Sequence, residues 1–232
     1  YYYAAGYFTR AHNRVVENAG RLSTAAGAEL DQSWTFRHSY LIGKYQQTVT
    51  AANGRVYFGG SQHSLFGYNS DSMTRTSGSI TMNNGGDLQA STRSATGVVY
   101  ASCHCSDFTF QDAYQYLTLG TAWTRADEIQ WVGGWDEATG RQLGWTPYRL
   151  GSQRFTGAWA LEMADDGALW AGGDFNYSYT SLTAGQWSGG FVRMPARNAT
   201  APAVPANLRA SGGNSKEVTL KWSSVPGAVS YD

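Results

Sequence analysis

A short signature that recurs along the chain constrains the fold more than any other feature of the sequence. Each copy is a run of apolar and aromatic residues, followed by small residues and then by an aromatic or polar turn. Aligned on one ring, the copies centre on Tyr3, Tyr57, Tyr100 and Trp170, which lie 54, 43 and 70 residues apart. Such self-similarity indicates a repeat architecture in which each copy belongs to one supersecondary unit.

The residues before the signature predict the shape of each unit. Three copies follow a dipeptide that ends in glycine: Asn53-Gly54, Thr96-Gly97 and Asp166-Gly167. Asn-Gly and Asp-Gly favour tight hairpin turns because both central residues adopt positive φ. Each unit is therefore predicted to be strand, turn and strand, with small residues where the second strand leaves the sheet.

A second repeated element supplies further strands. Segments 21–27 and 135–140 each combine a strand with an Ala-Thr-Gly-type turn, and each is followed by a tryptophan. Together the elements predict four antiparallel strands per unit, as in a propeller blade, and blades repeat every ~40–50 residues. We therefore predict an all-β propeller with about four visible blades. Segments 56–59, 99–102 and 169–172 are expected on equivalent inner strands.

Composition excludes several classes of protein. Charged residues make up 15% of the chain and the formal net charge is zero, so nothing favours nucleic acid or an anionic membrane as a partner. No run approaches the roughly 18 apolar residues that a membrane helix needs. The 28 glycines and the 14% of aromatic residues favour short strands joined by tight turns.

The last part of the chain predicts a second domain. A Pro-rich stretch at 202–207 leads to the alternating segment Glu217-Val218-Thr219-Leu220-Lys221-Trp222 and then to Val225-Pro226-Gly227-Ala228. This order resembles the opening of a fibronectin type III domain, an immunoglobulin-like sandwich of on the order of 100 residues. We predict blades at 1–197, with further blades before Tyr1, a linker at 198–205 and a truncated fibronectin type III domain at 206–232.

The fourth signature also carries a family resemblance. Leu169-Trp170-Ala171-Gly172-Gly173-Asp174-Phe175 follows Met163-Ala164-Asp165-Asp166-Gly167. The combination resembles the blades of secreted actinobacterial β-propellers, in which a Gly-Gly-Asp-Phe motif precedes fibronectin type III, PKD-like or laminin-G-like modules. The resemblance implies a secreted bacterial protein. The first two copies depart from the motif, since Gly6-Tyr7-Phe8 lacks the Asp and Gly60-Ser61-Gln62 lacks both Asp and Phe.

The motif Cys103-His104-Cys105 allows three interpretations. The cysteines form a local disulfide, stay reduced as structural thiols, or bind zinc or copper. Alternate residues of a strand share a face, so His104 points away from the cysteines and a metal needs another ligand, such as His63 or Asp107. An extracellular compartment favours the disulfide, and we predict no metal.

Candidate binding residues lie in segment 106–127, which we interpret as a long loop between strands. Loops of this length are uncommon unless functional or disordered, and exposed rings bind glycans or proteins. Tyr114, Tyr116 and Trp123 are the predicted binding rings. Asp174 either lines the propeller mouth or fixes a turn by accepting backbone N–H bonds. Other rings are predicted to pack between blades, namely Trp131, Trp145, Trp159 and Trp170.

The sequence contains few candidate catalytic residues. The histidines fit no nucleophile-elbow or metalloprotease pattern, and the acidic pairs 136–137 and 165–166 lie in predicted turns. We expect no cofactor and a non-catalytic extracellular protein whose propeller face binds a glycan or protein at the cell surface. Two alternatives stay open. One is a secreted glycan-active or oxidoreductase propeller with catalytic residues partly outside this chain; the other is a subunit of an extracellular filament, surface layer or virion appendage.

Overall fold

The structure is a computed structural model that describes residues 1–39, 43–82, 86–147, 149–179, 183–196, 205–214 and 217–226. These residues form strands, turns and bends and contain no helix, so the all-β prediction is confirmed. Among them there is accordingly no helix long and apolar enough to span a membrane. The chain divides into two compact bodies, Tyr1–Pro195 and Ala196–Asp232.

The first body is built from short antiparallel strands. They are β1 (Tyr2–Ala5), β2 (Arg10–Ala11), β3 (Arg14–Val15), β4 (Ala19–Leu22), β5 (Gln46–Ala52), β6 (Arg55–Gly60), β7 (Ser64–Asn69), β8 (Arg75–Met82), β9 (Leu88–Arg93), β10 (Val98–Gln111), β11 (Arg125–Asp136), β12 (Arg149–Ser152), β13 (Ala158–Met163), β14 (Leu169–Gly173), β15 (Phe175–Tyr179), β16 (Gly185–Trp187) and β17 (Phe191–Met194).

These strands build four repeats, each centred on one copy of the sequence signature. The first repeat contains β1 and β4, the second β5 to β8, the third β9 to β11, and the fourth β13, β14 and β17. In the last three, the signature strand pairs with the strand before it and with a later strand. Segments 56–59, 99–102 and 169–172 therefore hold equivalent positions.

The turn before the signature strand has the same geometry in the third and fourth repeats. Gly97 N donates to the carbonyl of Ser94 at 3.4 Å, and Gly167 N donates to the carbonyl of Ala164 at 2.9 Å. The glycines of the three turns have left-handed backbone, with φ of 69° at Gly54, 83° at Gly97 and 79° at Gly167. Glycine adopts this conformation without the steric cost that a Cβ atom brings.

All three hairpins also carry a β-bulge at the same place. One residue of the first strand has no partner on the signature strand, and these residues are Gln47, Gln89 and Trp159. Beyond the bulge, one backbone N–H donates at 3.1 Å to the carbonyl of the residue before the first strand; the pairs are Ser61 to Tyr45, His104 to Asp87 and Asp174 to Gly157. The repeats thus share backbone geometry as well as sequence.

Acidic and amide side chains beside the turns fold the local backbone. Asn69 Oδ1 accepts from Ser72 N at 2.9 Å where the second repeat leaves its third strand, and Asp136 Oδ1 accepts from Thr139 N at 2.8 Å in the third. Asp166 Oδ1 accepts from Ala168 N at 3.0 Å. Such bonds are the usual work of Asx residues in turns.

We predicted a long loop at 106–127, but both ends of this segment are strands. Residues 106–111 pair with 125–130 in a β-hairpin, which we call the arm of the third repeat. β10 continues to Gln111 and β11 begins at Arg125, which leaves 112–124 as the connection. This arm pairs with β8 of the second repeat. The run Phe108-Thr109-Phe110 explains the difference, since aromatic and β-branched residues favour extended backbone when a neighbouring strand packs them.

Two other repeats also have an arm, which is a hairpin that follows the signature strand. The arm of the fourth repeat, β15 with β16, pairs with β12, which follows the third repeat. The arm of the first repeat is the hairpin of β2 and β3, and in the described part of the chain it pairs with no further strand. In the third and fourth repeats, an arm therefore reaches back to a strand that comes before its own repeat.

Three buried cores lie between consecutive repeats. β5 to β8, β10 and β11 follow one another in the largest sheet, with β9 paired to β10, and this sheet curls in a barrel-like manner around the core of the second and third repeats. That core includes Tyr57, Leu88, Val99 and Trp135. The other two include Phe36, Phe58 and Phe66 between the first and second repeats, and Trp131, Leu161 and Leu169 between the third and fourth.

The second body contains one described hairpin, β18 (Arg209–Asn214) paired with β19 (Glu217–Lys221). Val218, Leu220 and Trp222 alternate along this segment and are exposed. In the described residues of this body, no second sheet is formed.

Candidate functional site

The ends of the repeated hairpins bring five polar and aromatic side chains together, which we call the end cluster. Its members are Tyr45, His63, Asp87, His104 and Tyr116. Tyr45 and Asp87 directly precede the first strands of the second and third repeats, and His104 lies where β10 passes into its arm. His63 lies in the short connection between β6 and β7, and Tyr116 lies in the connection of the arm. The shared hairpin geometry thus places residues of two repeats at one end.

Asp87 is the centre of the end cluster. Its Oδ2 accepts a short hydrogen bond from the Tyr45 hydroxyl, and its Oδ1 lies 3.7 Å from His63 Nε2. Burial and then the bond to Asp87 raise the pKa of Tyr45 well above its usual value. Tyr45 therefore keeps its proton, and its hydroxyl donates a hydrogen bond to the carboxylate.

His63 is held in one orientation by backbone and by an aromatic ring. Its Nδ1 lies 2.9 Å from the carbonyl of Thr81, so Nδ1 carries the hydrogen and donates. Burial lowers the pKa of His63, against the opposing effects of Thr81 and Asp87. His63 Nε2 lies too far from Asp87 Oδ1, at 3.7 Å, for a direct hydrogen bond, and the ring packs against Tyr116 with ring centroids 4.4 Å apart.

His104 extends the end cluster towards the fourth repeat. Burial lowers the pKa of His104, while the charges of Asp87 and Asp174 oppose that shift. Its Nε2 is in close contact with the side-chain amide of Gln89, the bulged residue of the third repeat. The bulge therefore turns a polar side chain towards the same end as the imidazole.

The carboxylate of Asp87 is accessible from solvent. Its side chain is 26% exposed, and the His63 side chain is 15% exposed. The highly exposed ring of Tyr7 lies 6.0 Å from the ring of Tyr45 and extends the aromatic rim. The arrangement offers one acceptor of hydroxyl hydrogen bonds, with two histidines and several rings around it, which suits a polar ligand that also has apolar faces.

The structure separates the three predicted binding rings. Tyr116 joins the end cluster, whereas Tyr114 packs 6.1 Å from Phe66 and has the Arg75 guanidinium 4.3 Å above its ring. We predicted exposed rings, but both tyrosines are half-buried because the arm folds onto the core of the second repeat. Trp123 is 41% exposed and packs edge-on against Phe110, 5.3 Å away.

Asp174 fixes a turn, which is one of the two roles expected for it. Its carboxylate accepts hydrogen bonds from Ser152 Oγ, from Arg154 N at 2.9 Å and from Thr156 N at 3.4 Å. Partial burial alone would raise the pKa of Asp174, but these hydrogen bonds outweigh it and hold the pKa below its usual value. The carboxylate is therefore saturated by its own chain.

Cys103 and Cys105 are joined by a disulfide in the structure, with Cα atoms 5.1 Å apart. Both side chains are fully buried in the core between the second and third repeats. The bond lies where the pairing of β10 with its neighbours shifts in register. Across the described ranges, no group of three or more His, Cys, Asp or Glu side chains is placed to hold a metal ion.

An opening of about 230 Å³ lies beside the second repeat and is lined by Trp34, Thr35, Arg37, Tyr68, Met73 and Arg75. The Arg75 guanidinium is already stacked on Phe66 and Tyr114.

Sequence reasoning missed Tyr45, Asp87 and the role of His63. The signal that could have found the first two is positional, since both stand directly before the first strand of a repeat. Aligning the repeats on that strand would have marked both positions as one end of the fold.

Comparison with known proteins gives little further information. No family model matches the chain, and no curated protein matches it. A crystal structure of the computationally designed Ika8 protein is similar with a TM-score of 0.28 and 14% sequence identity. The match covers 76% of this chain and 58% of the designed protein. At this TM-score we draw neither fold nor function from the likeness.

Proposed function

We propose that this chain is an extracellular, propeller-type binding protein whose end cluster binds a glycan. The observation that carries the proposal is Asp87, a partly exposed carboxylate held by Tyr45 beside His63 at one end of the repeated hairpins. Carboxylates accept hydrogen bonds from sugar hydroxyls, and the C–H faces of a sugar ring pack on aromatic side chains. Tyr7 lies beside Tyr45 and Tyr116 beside His63, so an aromatic ring adjoins each of these neighbours of Asp87.

The propeller assignment is supported by the repetition of backbone detail. The bulge and the hydrogen bond beyond it recur in three successive repeats, and a buried core lies between each repeat and the next. Blades arranged around an axis produce this pattern, and loops at one end of such a disc carry specificity. The second repeat has the four strands of a blade.

One observation supports an extracellular setting. The disulfide between Cys103 and Cys105 is typical of oxidising compartments. The second body gives no such support to the expected fibronectin type III sandwich, because Val218, Leu220 and Trp222 are exposed and no second sheet packs on them among the described residues.

A glycan array followed by calorimetry with the oligosaccharides that bind tests the proposal. Asp87→Asn removes the charged acceptor, and the loss of one charge-assisted hydrogen bond costs about 1.5–3 kcal/mol, or roughly 10- to 150-fold in affinity. Asp71→Asn is the matched control, because Asp71 is an exposed aspartate in the turn after β7. We expect it to change affinity less than about twofold.

Two results would contradict the proposal. One is an array without any bound glycan at high protein concentration, and the other is affinity that Asp87→Asn leaves unchanged. Circular dichroism of each variant shows whether a loss of binding reflects the site or the fold. Tyr116→Ala is a second test of glycan affinity, because the loss of ring packing should weaken binding without altering the charge of the site.

A further inference from the structure

Two polar atoms of the end cluster face each other across a short gap. Asp87 Oδ1 lies 3.7 Å from His63 Nε2, and within the described residues neither atom has a hydrogen-bond partner. The other oxygen of the carboxylate accepts from Tyr45, and the other ring nitrogen of His63 lies 2.9 Å from the carbonyl of Thr81. These two atoms are therefore left for a ligand or for water.

Both atoms are acceptors when the imidazole of His63 is neutral. Nδ1 donates to the Thr81 carbonyl, so Nε2 of the neutral ring carries a lone pair. The ionised carboxylate of Asp87 offers only lone pairs as well. The gap therefore brings two electron-rich atoms close together, and a donor that lies between them relieves their repulsion.

The number of hydrogens on a ligand group decides how well it fills this gap. A sugar hydroxyl has one hydrogen and satisfies one of the two acceptors. An ammonium group has three, so it donates to Asp87 Oδ1 and His63 Nε2 together. Water also bridges two acceptors with its two hydrogens, and a ligand group that displaces an ordered water without reproducing both bonds loses affinity.

The charges around the gap favour a cation. Burial lowers the pKa of His63 and of His104, so both imidazoles are neutral near pH 7. The charges of Asp87 and Asp107 act on His63, and those of Asp87 and Asp174 act on His104. Because the rings stay neutral, no histidine charge offsets these carboxylates. A positively charged group is therefore attracted to this end of the repeats.

We propose that the ligand of the end cluster is a glycan whose free amino group lies between Asp87 and His63. This inference rests on the proposed glycan binding and adds the class of sugar, a hexosamine without its N-acetyl group. The amino group supplies two hydrogens and a positive charge, and the sugar ring supplies C–H faces for Tyr7 and Tyr116. An N-acetylated sugar has one N–H and no charge, so the same site discriminates against it.

Three trisaccharides that differ in one substituent test the proposal by calorimetry with the whole chain at pH 7. They are the glucosamine trimer of chitosan, the N-acetylglucosamine trimer of chitin and the glucose trimer of cellulose, which carry an amine, an acetamide and a hydroxyl at the same position. We expect the glucosamine trimer to bind about 10- to 150-fold more tightly than either of the others, as one hydrogen bond to a charged group contributes.

A substitution at His63 assigns this preference to the gap. His63→Asn keeps a side-chain donor for the Thr81 carbonyl and tolerates the left-handed backbone of this position, with φ of 56°, but it does not reach the place of Nε2. It should narrow the preference for the glucosamine trimer over the glucose trimer about 2- to 13-fold. The readout is a ratio of two affinities, so a general weakening of binding cancels.

His12→Asn is the matched control for this substitution. His12 is an exposed histidine in the β2–β3 hairpin and also has left-handed backbone, with φ of 48°. It should leave the preference unchanged. Circular dichroism of both variants confirms that each is folded.

Several results would overturn the proposal. If the glucose or N-acetylglucosamine trimer binds as tightly as the glucosamine trimer, or if no trimer binds while other glycans do, glycan binding stands and the amino group has no role. A preference that His63→Asn and Asp87→Asn both leave unchanged places the amine elsewhere. A lysine trimer that binds as tightly as the glucosamine trimer shows selection of charge without a sugar. An array without any bound glycan would overturn both proposals.

Discussion

Gly172 and Gly173 end the fourth signature strand, and replacing each by alanine tests how the bulged hairpin is built. A Cβ atom on Gly173 would collide with the carbonyl oxygen of Gly157 and lie 3.0 Å from Ala158 Cα. A Cβ atom on Gly172 would meet only the side chains of Ala160 and Phe191 at an ordinary 3.7 Å. The two glycines are neighbours in sequence, yet only the second is crossed closely by backbone.

The expected effects on the free energy of unfolding have opposite signs. Overpacking against atoms that cannot move away costs about 1–3 kcal/mol, so Gly173→Ala should destabilise by that amount. Gly172→Ala restricts the unfolded chain without a clash and should stabilise by up to ~1 kcal/mol. For a body of this size, 1 kcal/mol shifts the melting temperature by about 2–4 °C. Gly173→Ala should therefore melt roughly 2–12 °C lower than wild type.

Thermal unfolding followed by circular dichroism, with urea unfolding as a second measure, checks the comparison. Gly60→Ala serves as an independent copy in the second repeat, because its Cβ atom would lie 2.5 Å from Tyr45 O and 2.6 Å from Gln46 Cα. If Gly173→Ala is as stable as Gly172→Ala, the close backbone crossing at the bulge is wrong and the repeats do not share the geometry described above.

Two further predictions concern the core and the pH dependence. Phe58→Ala should cost about 3–5 kcal/mol in urea unfolding because the fully buried ring leaves a cavity, whereas Phe155→Ala, at an exposed ring, should cost under ~1 kcal/mol; equal costs would contradict the assigned core. Burial lowers the pKa of His38, His63 and His104, so the unfolded chain takes up protons first as pH falls below about 6.5, and stability should decrease from there through the folded-state pKa values. Urea midpoints at pH 7.5 and 5.5 check the sign, and a midpoint that is equal or higher at pH 5.5 would refute it.

The repeat itself could be read from the sequence because its causes are local. A glycine that must adopt positive φ, such as Gly97, marks its turn wherever the fold places it. The run of apolar and aromatic residues around Tyr57, which follows a turn dipeptide, likewise indicates a strand before any partner is known. Asp136 and Asp166 could be predicted as turn residues for the same reason, since the backbone hydrogen bonds that fold their turns come from only two or three residues along the chain.

Segment 106–127 shows where local reading stops. Its residues Phe108 and Phe110 carry a strand preference, but an extended segment becomes a strand only when another strand pairs with it. The partner is β8, which precedes it in the chain and belongs to a different repeat. Interpreted without that partner, the segment resembled a loop, and Tyr114 was assigned to binding when it packs on Phe66.

The sequence by itself determined the repeating hairpins, the turns and the positions that need glycine, because these depend on residues close together along the chain. Tertiary structure alone decided the end cluster. Tyr45, His63 and Asp87 are separated by eighteen or more positions in the chain, and they meet because the bulged hairpins of successive repeats place equivalent ends side by side. Local preference encodes where a strand begins, whereas the neighbours of its first residue depend on how the next repeat packs against it.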